Sequence, residues 1–272
     1  MKLALASISY LITVFALVLL AIRVRQLIAI YKKQQPDPTR SNDKSARFKN
    51  MLKEVLGHTK MLNFTGTGIA HWFVMIGFGA LFGTLATAYG QLISPSFALP
   101  LIGHFIPYEF MSELIGWATG IGIVTLIGIR QVTRLKPERA NRFSGSGMGK
   151  AYYVEATILV IVFAVIALRG LEGALAGEES WNWHYALSWP AVVFFSGWST
   201  SAIETTIVIV AAIKIVTSMA WFIVIASNLT MGIAWHRFLA FFNIFYKRNS
   251  DGSNSLGALP EMISHGAPID FE

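Results

Sequence analysis

Two histidines of this 272-residue chain, His71 and His236, lie inside apolar stretches of membrane length; His58 falls on a surface helix, His104 and His184 in outer loops and His265 in the tail. An imidazole left unsatisfied in hydrocarbon is costly, so each ionisable group within such a stretch is a functional candidate. His71 follows Phe64, where its stretch begins, by seven residues, and His236 precedes Tyr246, where its own ends, by ten. At 1.5 Å per residue these offsets are depths of about 10 and 15 Å from one membrane boundary, on helices of opposite direction. Two imidazoles facing each other in one leaflet suit the axial positions of a haem iron, the low-spin arrangement of b-type cytochromes. They equally suit a hydrogen bond between helices or a step in a proton path, and spacing leaves these readings open.

The neighbours of the pair suit a flat apolar group. Gly66, Gly68, Gly77, Gly79 and Gly83 clear space along the first helix and Gly232 along the second, although glycines in membrane helices also serve packing alone. Trp72, Phe73, Phe78 and Trp235 supply apolar walls. Arg237 and Lys60 are the candidates to pair with haem propionates.

The elements that must position these residues follow from composition. The chain is 54% hydrophobic and 14% charged, with a mean hydropathy of +0.54. A soluble domain carries about 25% charge, so a soluble enzyme is excluded. Zero cysteines exclude disulfides, thiolate zinc sites, an iron–sulfur cluster and covalently attached haem within this chain. The net charge of +7 does not indicate nucleic acid, because the basic residues flank apolar runs.

A crossing needs about 20 apolar residues. Five spans are expected, at about 3–22, 64–93, 108–129, 151–168 and 203–245. The first reads as a retained signal-anchor, since no small-residue cleavage site follows it. The last is too long for one straight crossing and combines a span with an interfacial extension. Its interior charge, Lys214, is expected to face protein, water or a headgroup. Arg23 to Lys60, Arg130 to Lys150, and Arg237, Lys247 and Arg248 put the basic residues on one side, against Lys2 and Arg169 on the other. Positive-inside then makes this an all-α integral membrane bundle of five transmembrane helices, N-terminus outside and C-terminus cytoplasmic.

The domain plan is a membrane domain over 1–248 and a polar tail over 249–272, a linker or docking arm that includes His265. Residues 37–62 are basic, with Phe48, Met51, Leu52, Val55 and Leu56 at helical spacing, as in an amphipathic helix on the inner membrane surface. The glycine-rich run 144–150 misses the P-loop spacing and reads as a loop.

The segment Gly68-Ile-Ala-His71-Trp-Phe-Val-Met-Ile-Gly77-Phe-Gly-Ala-Leu-Phe82 resembles the second transmembrane helix of the gamma-subunit family of respiratory nitrate reductase. It is closer still to the membrane domain of heterodisulfide-reductase-like iron–sulfur oxidoreductases. Ala234-Trp-His236-Arg-Phe-Leu-Ala-Phe-Phe-Asn-Ile-Phe-Tyr-Lys-Arg248 is similar to the last helix of that second group. With the five-span layout, the resemblance covers most of 1–248.

The resemblance implies electron transfer between b haem, menaquinone and a soluble partner, in a bacterial inner membrane. The nitrate-reductase type carries two haems, and alignment puts Leu81 and Ser218 where the ligands of the outer one would stand. One haem, ligated by His71 and His236, is therefore expected; a second on His58, His104 or His184 stays open. Relatives continue into a cysteine-rich cytoplasmic domain, and some oxidise electron-transfer flavoprotein. Either this sequence is a truncated or split membrane half, or the iron–sulfur partner is a separate subunit.

The expectation is thus the membrane part of a quinone-linked oxidoreductase complex. His58, Lys53 and Glu54 are candidate proton donors to the quinone, against a solvated amphipathic face for each. The alternative is a haem-free membrane anchor or a small-solute or proton transporter with buried histidines. Against transport stand the absence of an inverted repeat and of a Gly/Pro-broken helix pair in the sequence.

Overall fold

The computed structural model describes residues 1–134 and 147–253, together with 263–264 and 267–268. Of the run 144–150, residues 144–146 lie outside the described residues, as do His265 and most of the tail, while Met148–Lys150 begin a helix rather than a loop. The chain forms two compact units, Met1–Lys33 with Met61–Arg237, and Gln34–Lys60 with Phe238–Glu272.

The larger unit is helical. Helix α1 (Lys2–Tyr31) carries no charge between Leu3 and Ile22 and exposes Leu3, Leu11, Val14, Phe15 and Val18. An apolar surface of that extent on a helix is explained by lipid rather than water. Helix α3 (Thr65–Ala80) and helix α4 (Phe82–Gln91) meet at Leu81 with a bend of 43°. Helices α5 (Ile106–Arg134) and α6 (Met148–Ala176) follow, the latter closed by Gly177 in the left-handed conformation at φ 72°. Here Gly177 N–H donates to Ala174 O and Glu178 N–H to Gly173 O, the hydrogen bonds that a helix ending in glycine leaves to be made. Helix α7 (Trp189–Ser196) packs on α6, where Gly170 and Gly173 leave no room for a side chain against Ala191 and Val192. Helix α8 (Thr200–Ser227), started by Ser199 Oγ accepting from Ala202 N–H, runs through the core.

Helices α1, α5, α6 and α8 are each long and apolar enough to cross a membrane, and α3 with α4 makes a fifth if the bent pair is one span. The core is α8 packed against α1, α4 and α6, through Ala16, Leu85, Leu168, Ile207, Ala211 and Ile215. Lys2 and Glu204 lie 3.3 Å apart, which puts the starts of α1 and α8 at the same end. Both are well exposed, so the pair marks direction rather than stability.

The last apolar stretch, too long for one straight crossing, divides. Helix α8 ends at Ser227, and α9 (Gly232–Phe245) starts after a break. The indole Nε1–H of Trp235 donates to Ile225 O at 3.1 Å and Asn228 O at 3.2 Å. The Asn228 amide donates to Val224 O at 2.9 Å. Carbonyls at the end of α8 therefore find donors in the turn and the next helix, which fixes the break.

The smaller unit contains α2 (Lys44–Val55) and the end of α9, organised by Arg47, which is 2% exposed. Its guanidinium donates to Thr39 O at 2.8 Å, Asn42 O and Asn42 Oδ1 at 2.7 Å, Phe245 O at 3.2 Å and Lys247 O at 2.6 Å. The Phe245 carbonyl belongs to the end of α9, where a cation is favoured by the helix dipole. A hydrogen bond from a charged donor is worth about 1.5–3 kcal/mol, so Arg47→Ala is expected to destabilise this unit by about 3 kcal/mol. Faster amide exchange across 44–55 and 238–247 is the measure, and unchanged exchange contradicts it. Arg47→Lys should recover little, because an ammonium cannot reproduce the fork.

His58 also belongs to this unit, 7% exposed and at φ 52°. Burial lowers its pKa below the ordinary 6.5. A depressed histidine contributes stability that is complete above pH 6.5 and is lost as the pH falls through the folded-state value. Amide protection of α2 should therefore decline on acidification below that point, and His58→Gln should flatten the profile. A profile equally steep in the variant would contradict this assignment. Described residues of the tail include one antiparallel two-residue pair, Ile263–Ser264 with Ala267–Pro268.

Candidate functional site

His71 stands in the second turn of α3 and His236 in the second turn of α9, both within the larger unit. Their ring centroids are 6.1 Å apart, with the planes inclined at 39°. A metal–imidazole bond of about 2.0–2.1 Å on each side of one ion would put the two centroids roughly 6.3 Å apart. The spacing therefore suits both imidazoles as candidates to hold a single haem iron. His236 Nδ1 lies 3.2 Å from Gly232 O. A carbonyl only accepts, so Nδ1 carries the proton and Nε2 is the nitrogen with a lone pair to offer.

The break at Asn228–Met231 produces this arrangement, since it is α9, restarted and turned by Trp235, that carries His236 beside His71. The depth arithmetic along one continuous last helix is replaced by that turn. Trp235 itself, expected as a wall of the site, is 4% exposed and committed to the end of α8. Trp72 and Phe73 lie side by side at 5.9 Å, and Phe73 is exposed.

The glycines divide by role. A side chain at Gly68 would strike the backbone of Met61 and Leu62, at Gly77 it would strike Thr119, and at Gly83 it would come within 2.7 Å of the Tyr108 hydroxyl. These three serve close packing. A Cβ at Gly66, Gly79 or Gly232 would meet nothing within 4 Å, and α9 packs only lightly on the other helices. Space for a flat group is thus present along α9 and beside α3.

The Arg237 guanidinium lies over the rings of Phe78 and Trp221, at 5.0 and 5.3 Å from their centroids. It lines a cavity of about 110 Å³ that also receives Leu81, Ser218 and Lys214. Leu81 and Ser218, the positions where a second ligand pair was sought, thus share one small cavity that holds no histidine. Lys60 belongs to the smaller unit, where Glu54 takes it at 3.7 Å and also accepts a hydrogen bond from Lys247.

The residues singled out in sequence omit a second polar centre at the other end of the larger unit. Arg169 of α6 lies 3.1 Å from Glu113, 3.4 Å from Glu109 and 2.6 Å from Glu172. It also donates to His184 O and lies over the Tyr185 ring at 4.6 Å. Burial pushes the Tyr185 hydroxyl upward in pKa. Glu113, fully buried, accepts from Leu187 N–H at 2.8 Å and Ser188 N–H at 3.1 Å, so it anchors the start of α7. His184 Nδ1 lies 2.6 Å from Glu109. His184 is thereby occupied, and His104 lies exposed on a cavity wall nearby.

Set against known families, curated proteins and solved structures, the chain matches none. What the site holds must follow from its own geometry. Among the described residues no group of three histidine, cysteine or carboxylate side chains could hold a bare metal ion. Two histidines suffice for haem, because the porphyrin supplies the other four donors.

Proposed function

We propose that this chain is a multi-pass membrane cytochrome b subunit that relays electrons between a cytoplasmic iron–sulfur partner and menaquinone. The observation that carries the reading is the 6.1 Å separation of two imidazoles on separate helices. Bound there, the haem supplies reversible one-electron chemistry. His71 and His236 would hold it from both faces, which leaves no open position for oxygen and favours relay over activation. The Gly232 carbonyl fixes the His236 tautomer and raises the basicity of Nε2.

The remaining parts follow from charge and composition. With the basic residues on the cytoplasmic side, the N-terminus is outside and the bent α3–α4 pair is one of five crossings of a bacterial inner membrane. No cluster can be held without cysteine, so the iron–sulfur centre belongs to a partner, with electron-transfer flavoprotein a candidate upstream donor. The motifs around His71 and His236 support kinship with the heterodisulfide-reductase-like and nitrate-reductase gamma-type membrane proteins. Arg237, stacked on Phe78 and Trp221, would have to leave those rings to meet a propionate, and Lys60, the other proposed partner, would have to leave Glu54.

Stopped-flow mixing tests the relay. The dithionite-reduced protein, freed of excess reductant, is mixed with a soluble naphthoquinone, and reoxidation of the visible bands within seconds is expected. Bands that remain reduced, at the rate of a quinone-free control, contradict the quinone part of the reading.

A further inference from the structure

Lys214 stands near the middle of α8, 1% exposed, in an apolar helix. Its Nζ donates to Thr84 O and Thr84 Oγ1, both at 2.8 Å. The Thr84 hydroxyl in turn donates to Leu81 O at 2.6 Å, at the bend between α3 and α4. Among the described residues no carboxylate lies within ion-pair distance of Nζ. Two of its hydrogen positions are committed to Thr84, and both survive whether the nitrogen is ammonium or amine. The third position is then either a proton or a lone pair, and it can change without disturbing the bend.

Lys214 also lines a cavity of about 290 Å³ that opens at the end of the unit carrying the 92–105 loop. The polar wall includes Gln91, Glu109, Arg169 and Glu172. Gln91 is 1% exposed; its amide donates to Glu172 at 2.5 Å, while its Oε1 has no hydrogen-bond partner. A buried orphan acceptor, beside charged groups on the wall of a cavity of this size, calls for water, which needs only about 15 Å³ per molecule. Lys214 also lines the second cavity, with Arg237. A lone cation in an apolar helix, bonded to the bend between α3 and α4 and lining a cavity, has the features of a proton-exchanging group.

We propose that the 290 Å³ cavity is a proton-access route from the loop end of the bundle to Lys214, and that Lys214 takes up and releases a proton there. The step is a simple transfer: a proton passes from cavity water to the amine lone pair and returns the same way. The ionisable groups around it are Tyr108 and Glu109 from α5, Arg169 and Glu172 from α6, His104 and Tyr185 from the loops, and Arg237 from α9. Helix α1 brings no charge between Leu3 and Ile22, and α4 offers Thr84 and Gln91. The bend between α3 and α4 adds one interrupted apolar stretch to a fold in which no Gly/Pro-broken pair was expected. None of this depends on haem.

The chain has no cysteine, so single-cysteine variants test access on a silent background. Lys214→Cys, and independently Gln91→Cys on the facing wall, should react with a water-soluble cationic thiosulfonate in the folded protein. The rate should exceed that of Val208→Cys, buried in the same helix away from the cavity, by on the order of tenfold. Potentiometric titration of the native protein against Lys214→Met should show an extra proton exchanged per chain between about pH 5 and 10. If both cavity cysteines react no faster than Val208→Cys, or the two titration curves superimpose, the proposal is overturned.

Discussion

Replacing Arg169 by methionine is expected to cost the larger unit about 3–5 kcal/mol, the penalty of removing one partner from a buried ion pair. The guanidinium is 12% exposed and stands among three carboxylates, of which Glu113 is fully and Glu109 almost fully buried. Without it, carboxylates at 3% and 0% exposure keep their charge in a low-dielectric interior or take up protons, and either is costly. The damage should extend to α7, because Glu113 holds the Leu187 and Ser188 amides and Arg169 holds His184 O. A sharply lowered midpoint in detergent is therefore predicted for Arg169→Met. Addition of Glu113→Gln should return part of the loss, since the second change removes the stranded charge. A single variant as stable as the parent would show that water reaches the cluster freely and that the arginine is dispensable.

His71→Ala and His236→Ala should each abolish the b-type spectrum while the bundle still folds. Neither ring belongs to the buried core, as His71 is half-buried and His236 exposed. The loss of either should thus be felt by the iron far more than by the fold. A low-spin bis-imidazole centre needs both axial bonds, so each variant should lose most of its Soret absorbance per chain. If both variants keep an unchanged spectrum, the haem is held elsewhere, with His58 and His104 the next to substitute.

Much of the helical plan was legible because apolar run length and charge placement are one-dimensional quantities. Uncharged residues over Leu3–Ile22 make a membrane-length helix whatever they pack against. The pairing of His71 with His236 was readable as two ionisable groups at similar distance from one boundary, though not how the chain achieves it. The turn depends on Trp235 and Asn228 bonding to particular carbonyls of α8, and nothing in hydropathy signals that. The bend at Leu81 was equally hidden, since 64–93 is apolar throughout with no proline.

The Arg169 cluster did leave a trace. Glu109 and Glu113 are four apart at the start of α5, and Arg169 and Glu172 three apart near the end of α6, each pair on one helical face. Charge counting placed Arg169 and Glu172 in the outer loop, because α6 runs past the expected span 151–168, and left Glu109 and Glu113, inside the span 108–129, without a role. Lys214 was read as a charge that must avoid lipid, and it lies buried against Thr84. The contacts of Arg47 were out of reach, because they join α2 to the end of α9 across about 200 positions of sequence.

The central claim is that two histidines hold one haem. The dithionite-reduced minus oxidised visible spectrum of the purified protein, with haem quantified per chain, tests it most directly. About one b-type haem per chain is predicted, lost on either histidine substitution. A folded preparation from haem-replete cells that shows no Soret band would contradict it, and would leave a colourless membrane protein whose buried charges are its chemistry.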